Sequence, residues 1–324
     1  AHRTSSTADL QRMSRFVTFT PNPALDISTA VGQLEHAHKL RCDAPQVHPG
    51  GGGINVARVL HRLGADVQAI FPAGGTTGER LRKLLQAEAV PCLVHTIASD
   101  TRESFTVHER ASEQEFRFVL PGPTLTAHEW QDSLELLRAP LRDARWLISS
   151  GGLPPGVGAD GHAQAIRLVK GLDVRTVVDT SGAALKAALD EGVWLVKPSL
   201  GELSALAGHT LANTADQLKA ARNLIEQDKA HMVALTLGEQ GAMLITHKHC
   251  LRANPVPVKV AGSVGAGDSF LAALVWALDE TEDLHEALAT AMAAGASAVT
   301  STGTALSQKS QIEHFRQLVL IEKL

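Results

Sequence analysis

TVVDTSGAALKAALDEGVWLVK, residues 176–197, packs a strand, a helix and a second strand into one short span. Thr176 to Asp179 reads as strand, Ala183 to Leu189 as helix, and Trp194 to Lys197 as a second strand. The same rhythm extends toward the N-terminus. Arg15 to Thr20 is a strand broken by Pro21 and Pro23, and Val67 to Phe71 and Trp146 to Ser149 are strands. Ile54 to Leu63 carries apolar residues at 56, 59, 60 and 63, which is helical spacing, and Gly64 stops it. Glu79 to Ala87 and Ala163 to Lys170 are further helices. Toward the C-terminus, Ala215 to Gln227 is helix and Met232 to Leu237 strand. Strands alternating with helices require right-handed crossovers and a mainly parallel sheet covered on both faces. The fold class is three-layer α/β.

Two segments interrupt that alternation. Ser104 to Leu120 places Phe105 and Val107, then Phe116, Phe118 and Leu120, at alternate positions on either side of a polar turn. That pattern predicts a β-hairpin with one buried face. Leu34 to Val47 is also extended in character. Lid segments over about 27–48 and 101–120 therefore form a small antiparallel sheet inserted into a domain spanning 15–324. A lone hairpin is marginal in water, so its apolar face calls for a partner, as a lid or a dimer clasp.

The composition narrows the function. The 324 residues include 30 Lys plus Arg against 34 Asp plus Glu, a net charge of −4, and no tyrosine. A nucleic-acid binder needs a basic face and stacking platforms, and neither is visible. Cys42, Cys92 and Cys250 are too far apart for a disulfide framework or zinc site, which suits reduced thiols in a cytoplasmic protein. Residues 1–14 are expected to be a disordered tail without a secretory signal, and Met13 is a candidate translation start.

The sharpest chemical feature is Gly265-Ala266-Gly267-Asp268-Ser269. Phe270, Leu271, Leu274, Val275 and Leu278 then form one apolar helix face. Free N–H groups in the first turn of a helix, reached across glycines, suit a phosphate. Asp268 stands where it could take a proton from a hydroxyl beside that phosphate, or else caps the helix. The sequence lacks the GxxxxGK[ST] of a P-loop and the third glycine of a dinucleotide fingerprint. Gly50 to Gly53 open onto a second helix, either as backbone meeting a ligand or as a permissive loop. Asn55 offers donor and acceptor for sugar hydroxyls. Asp26 follows the first strand, as ligand contact or turn former. Lys39, Arg41 and Arg102 lie in the lid segments, suited to a phosphate or to edge protection. Glu202 could hold hydrated Mg²⁺ or answer a helix dipole. Thr236, Gly238 and Gly241 mark a strand end suited to a nucleotide.

In order, NPALD, PGGGGINVAR, SGGLPPG, KPSLGE, TLGEQGA and VGAGDS resemble the PfkB carbohydrate kinases of the ribokinase-like fold. Within that family the glycine run, preceded by KLRC and lacking the Lys of GGKGIN, is most similar to the type II 6-phosphofructokinase branch. The resemblance implies ATP-dependent phosphorylation of fructose 6-phosphate at its 1-hydroxyl. The alternatives are a tagatose-6-phosphate kinase, a 1-phosphofructokinase, or a sugar-phosphate-binding regulator on the same fold. It implies that Asp268 is the base and that Gly265, Ala266 and Gly267 stabilise the moving phosphoryl. Asp26, Gly50, Gly51 and Asn55 would bind sugar, Arg41 and Arg102 its 6-phosphate, and Lys39 would approach across the lid. Lys197, Thr236, Gly238, Gly241 and Val264 would hold ATP, and Glu202 would organise Mg²⁺. K⁺ is a candidate monovalent cation, and lids pair in a homodimer. The chain departs from the family pattern in three places: Ser199 for the Asn of NxxE, Gly152 for the Ser of SGSLPPG, and Ser301 to Ala305 for NQGTR.

Overall fold

The structure, a computed structural model, describes residues 15–301 and 305–324. The tail expected over 1–14, and Thr302, Gly303 and Thr304 of the last motif, lie outside the described residues.

The first half of the chain runs β1 (Phe16–Phe19), β2 (Ala24–Val31), β3 (Gln46–Gly50), α1 (Gly52–Arg62), β4 (Val67–Ala73) and α2 (Gly75–Ala87). Next come β5 (Cys92–Thr96), β6 (Arg102–Glu109), β7 (Gln114–Val119), α3 (Ala127–Leu141) and β8 (Trp146–Ser150). The second half begins with α4 (Gly161–Arg167), β9 (Arg175–Asp179), α5 (Gly182–Asp190), β10 (Val193–Val196), α6 (Leu200–Ala207) and α7 (Thr214–Glu226). It closes with β11 (Ala230–Thr236), β12 (Ala242–Thr246), β13 (Cys250–Ala253), α8 (Ala266–Glu280), α9 (Leu284–Val299), α10 (Lys309–Arg316) and β14 (Ile321–Lys323).

Ten strands make the main sheet, in the order β14-β13-β12-β11-β10-β9-β8-β1-β4-β5. Pairing is parallel from β5 to β11 and antiparallel over β12, β13 and β14. Successive strand residues face opposite sides, and the buried side chains sort accordingly. Phe16, Trp146, Ile148, Val177 and Leu195 pack toward α1, α2, α8, α9 and α10. Val17, Leu147, Val178 and Val196 pack toward α3 to α7 on the other side. This is the three-layer α/β fold expected from the alternation. Strand order reverses between β1 and β8, so the carboxyl ends of those strands flank the crevice where open α/β sheets bind ligands. The amino end of α1 opens there.

A four-stranded sheet, β3-β2-β6-β7, forms the lid. Two expectations change. The lid sheet is mixed, because β2 pairs with β6 in parallel while β2–β3 and β6–β7 are antiparallel. Leu34 to Pro45 is irregular rather than extended, and the strands lie on either side of it. The register gives the lid two faces. Ile27, Phe105 and Phe118 share one side, with Thr29, Val107 and Phe116 beside them. Asp26 and Ser104 share the other, with Arg102 and Arg117 at alternate positions along their strands. The apolar face of the hairpin is not buried in the single chain: Phe118 is 52% exposed. Glu115 of β7 ties the lid to the main body, accepting from the Ser263 backbone N–H and hydroxyl at 3.1 and 3.3 Å.

Candidate active site

α8 begins at a left-handed residue, Gly265 with φ of 78°, which a side chain would disfavour. An added Cβ there would also meet Leu306 Cδ2 at 2.4 Å. No side chain caps this helix start or that of α1, leaving first-turn N–H groups for a ligand. Asp268 does not cap α8. Its Oδ2 instead accepts a hydrogen bond of 2.8 Å from Asn55 Nδ2 on α1, which joins the two glycine-opened helices. Burial raises the Asp268 carboxyl above its usual range; the Asn55 bond, Lys197 and Arg117 pull it back and Asp26 pushes it further up. A half-buried carboxylate whose pKa is raised is a better proton acceptor than an ordinary one.

The Lys197 ammonium pairs with Asp179 Oδ1 at 3.1 Å, with both side chains largely buried. Burial alone would lower the Lys197 pKa, yet Asp179, Asp268 and Glu202 hold it above its usual value. Burial likewise pushes Asp179 up to about 6, against the pull of Lys197. A Cβ on Gly267 would lie 3.4 Å from Lys197 Nζ, so the ammonium sits against the glycine turn. Val264, just before that turn, is buried. Thr236, at the end of β11, donates its backbone N–H to the Pro198 carbonyl at 3.0 Å and bridges to Ser199. Gly238 and Gly241 turn beside it, so the expected nucleotide residues form one edge with Lys197.

Ser199 and Glu202 close a capping box on α6. The Ser199 N–H donates to Glu202 Oε2 at 2.7 Å and the Glu202 N–H to Ser199 Oγ at 3.2 Å. Among the described residues no group of three or more His, Cys, Asp or Glu could hold a metal. Asp179 and Glu202 are the carboxylates that act on the Lys197 ammonium beside the glycine turn, and one or two carboxylates suffice for a Mg²⁺ that keeps phosphate oxygens and water as its other ligands.

Asp26 lies under Gly50, where an added Cβ would fall 2.2 Å from Asp26 Oδ2. Burial pushes Asp26 up to about 6 while Arg102, Arg117 and Arg58 lower it. Gly51 is the N-cap of α1. Arg102 donates to the carbonyls of Asn22 and Leu120 at 3.1 and 3.3 Å. Its Nε is buried without a partner among the described residues. Lys39 and Arg41 are not brought into this cluster; both are exposed on the irregular lid loop.

The structure adds three residues that the sequence reading passed over. Arg117 faces Asp26 and Asp268, and its place between Phe116 and Phe118 was the available signal. Asp179 was visible only as a strand end. His162 is fully buried behind the SGGLPPG loop, where its Nε2–H donates to the Gly151 carbonyl at 2.9 Å and its Nδ1 accepts from Ser149 Oγ at 2.7 Å. The carbonyl can only accept, which fixes that tautomer.

Residues 24–311 match the pfkB family of carbohydrate kinases. The chain belongs to the PfkB family. It is 41% identical over 304 residues to the ATP-dependent 6-phosphofructokinase isozyme 2 of Mycobacterium tuberculosis, covering 94% of this chain and 89% of that protein. The crystal structure of phosphofructokinase-2 from Escherichia coli in complex with substrates and products superposes with a TM-score of 0.90 at 40% identity. That match covers 94% of this chain and 98% of the other. The same Escherichia coli enzyme in complex with potassium gives a TM-score of 0.89 at 40% identity, covering 94% and 99%. The match over 94% of the chain takes in both the main sheet and the small lid sheet.

Proposed function

We propose that this PfkB protein transfers the terminal phosphoryl group of ATP to the 1-hydroxyl of fructose 6-phosphate, giving fructose 1,6-bisphosphate and ADP. One observation carries the reading. Asp268 is a half-buried carboxylate at a turn of bare peptide N–H groups, oriented by Asn55 from the other glycine-opened helix rather than spent on its own helix end.

In the proposed reaction the sugar 1-oxygen attacks the terminal phosphorus and the bond to the β-phosphate oxygen breaks. The hydroxyl proton passes to Asp268. Phosphoryl transfer asks the protein mainly for positioning and charge stabilisation. The N–H groups of Gly265, Ala266 and Gly267 and the positive end of α8 meet the charge on the moving group. Asp26, Gly50, Gly51 and Asn55 hold the sugar hydroxyls. Arg102 and Arg117, on the same lid face, hold the 6-phosphate, with Arg41 and Lys39 closing from the lid loop. Lys197, Thr236, Gly238, Gly241 and Val264 hold ATP. Mg²⁺ would be held by ATP oxygens near Asp179 and Glu202, neutralising phosphate charge, with K⁺ as the candidate monovalent cation.

A second copy of the chain is the proposed cover for the half-exposed face of Phe116 and Phe118, making a homodimer through the lid. The cytoplasm is the proposed location; among the described residues no helix is long and apolar enough to cross a membrane. The deciding experiment is a steady-state assay with Mg·ATP over fructose 6-phosphate, tagatose 6-phosphate and fructose 1-phosphate. The highest kcat/KM is expected for fructose 6-phosphate. Preference for another sugar reassigns the substrate, and no sugar-dependent ADP release leaves a binding protein.

A further inference from the structure

Arg58, on the second turn of α1, is 1% exposed and one of the largest fully buried side chains among the described residues. Its guanidinium grips the Glu88 carboxylate in a fork. Nε lies 2.9 Å from Oε2 and 3.1 Å from Oε1, and Nη2 lies 2.7 Å from Oε1. Arg62 adds a longer bond to the same carboxylate at 3.3 Å. With the fork held from behind, Arg58 Nη1 points to the backbone that opens α1. It donates to the Pro49 carbonyl at 3.0 Å and, over a long 3.5 Å, to Asn55 Oδ1.

Both contacts lead to groups assigned above to the acceptor site. Pro49 precedes Gly50, whose backbone lies against Asp26. Asn55 turns its oxygen to Arg58 and its nitrogen to Asp268. A guanidinium can only donate and an ionised carboxylate can only accept, so these neighbours permit one face of the Asn55 amide and forbid its flip. We infer that Arg58, clamped by Glu88, is a positioning residue of the acceptor site, fixing the Asn55 amide toward Asp268 and the seat of Gly50 against Asp26. The inference rests on the reading of Asp268 as the base. The sequence alone does not suggest it, because Arg58 falls on the inner face of an amphipathic helix and Glu88 follows the end of α2.

The test is a double-mutant cycle of Arg58→Lys with Asn55→Ala. Lysine keeps the charge but cannot fork onto Glu88 while also bonding Pro49 and Asn55. Arg58→Lys should lower kcat on the order of 10- to 100-fold, the scale of a misplaced reacting group. KM for ATP should stay within about threefold, and Arg58→Lys should add less than about threefold in the Asn55→Ala background. The acid limb of the kcat profile should move to higher pH, because Asp268 loses the bond that lowers its pKa. Lys197, Asp26 and Arg117, the other charges acting on Asp268, remain in both backgrounds. Fructose 6-phosphate affinity without ATP, measured by titration calorimetry, should show the same coupling. Additive losses in kcat and in affinity would overturn the inference, as would an unmoved acid limb. If Arg58→Lys does not fold, Glu88→Gln carries the same cycle with the volume preserved. Should Asp268→Asn retain turnover, the base reading fails, and the affinity cycle still decides whether Arg58 acts through Asn55.

Discussion

An alanine at Gly50 would place its Cβ 2.2 Å from Oδ2, 2.3 Å from Cγ and 2.6 Å from Oδ1 of Asp26, where real contacts are not found below 3.0 Å. The carboxylate must swing away or the strands must part by the better part of an ångström. The backbone resists, because β2 is laddered to both β3 and β6. The side chain therefore moves, and with it the acceptor for a sugar hydroxyl. A hydrogen bond to a charged group is worth about 1.5–3 kcal/mol, so kcat/KM for fructose 6-phosphate should fall roughly 10- to 150-fold. KM for ATP should change little, since Thr236 and Lys197 belong to another edge of the crevice. Overpacking costs stability of about 1–3 kcal/mol, which a thermal melt will register without loss of the cooperative transition. The assay is steady-state ADP release with each substrate varied in turn, repeated in an Asp26→Ala background, where Gly50→Ala should add less than about twofold. A Gly50→Ala enzyme with kcat/KM for the sugar within about threefold of the parent would refute the reasoning, as would a loss shared equally by ATP.

Arg102→Ala removes a half-buried guanidinium with an unpartnered Nε. It should raise KM for the phosphorylated sugar on the order of 10- to 100-fold and leave KM for ATP nearly unchanged; equal effects on both would count against a 6-phosphate role. Burial holds the folded His162 pKa at about 4, against an ordinary 6.5, so the unfolded chain takes its proton first. The cost to stability is absent above about pH 6.5, grows as pH falls toward 4 and then levels, at about 3 kcal/mol. In urea titrations, His162→Gln should reduce the loss of stability between pH 7 and pH 4 by about that amount. An unchanged pH dependence would mean that the buried imidazole is not its source.

Where local pattern and tertiary demand agree, the sequence was readable. Thr176 to Lys197 announced a crossover because alternate strand residues had to feed two helix layers. Gly265 to Asp268 announced a ligand turn because glycines at a helix start leave its backbone N–H groups bare. The lid was read by the alternation around Phe105 and Phe118, but its parallel β2–β6 pairing was not, since β2 sits between prolines and an irregular loop. α3 went unread although Thr126 and Glu129 carry a capping box. Arg117 was hidden by reading only the apolar half of its strand. The pairs Lys197–Asp179 and Arg58–Glu88 depend on which strands and helices become neighbours. Local spacing does not encode that.

Asp268→Asn, assayed for ADP release with fructose 6-phosphate and Mg·ATP alongside calorimetric titration of both ligands, tests the central claim most directly. An amide keeps the shape and cannot take the proton. Turnover should drop about 10²- to 10⁴-fold, with both affinities within about threefold of the parent. Turnover within about tenfold of the parent would contradict the assignment of that carboxylate as the proton acceptor.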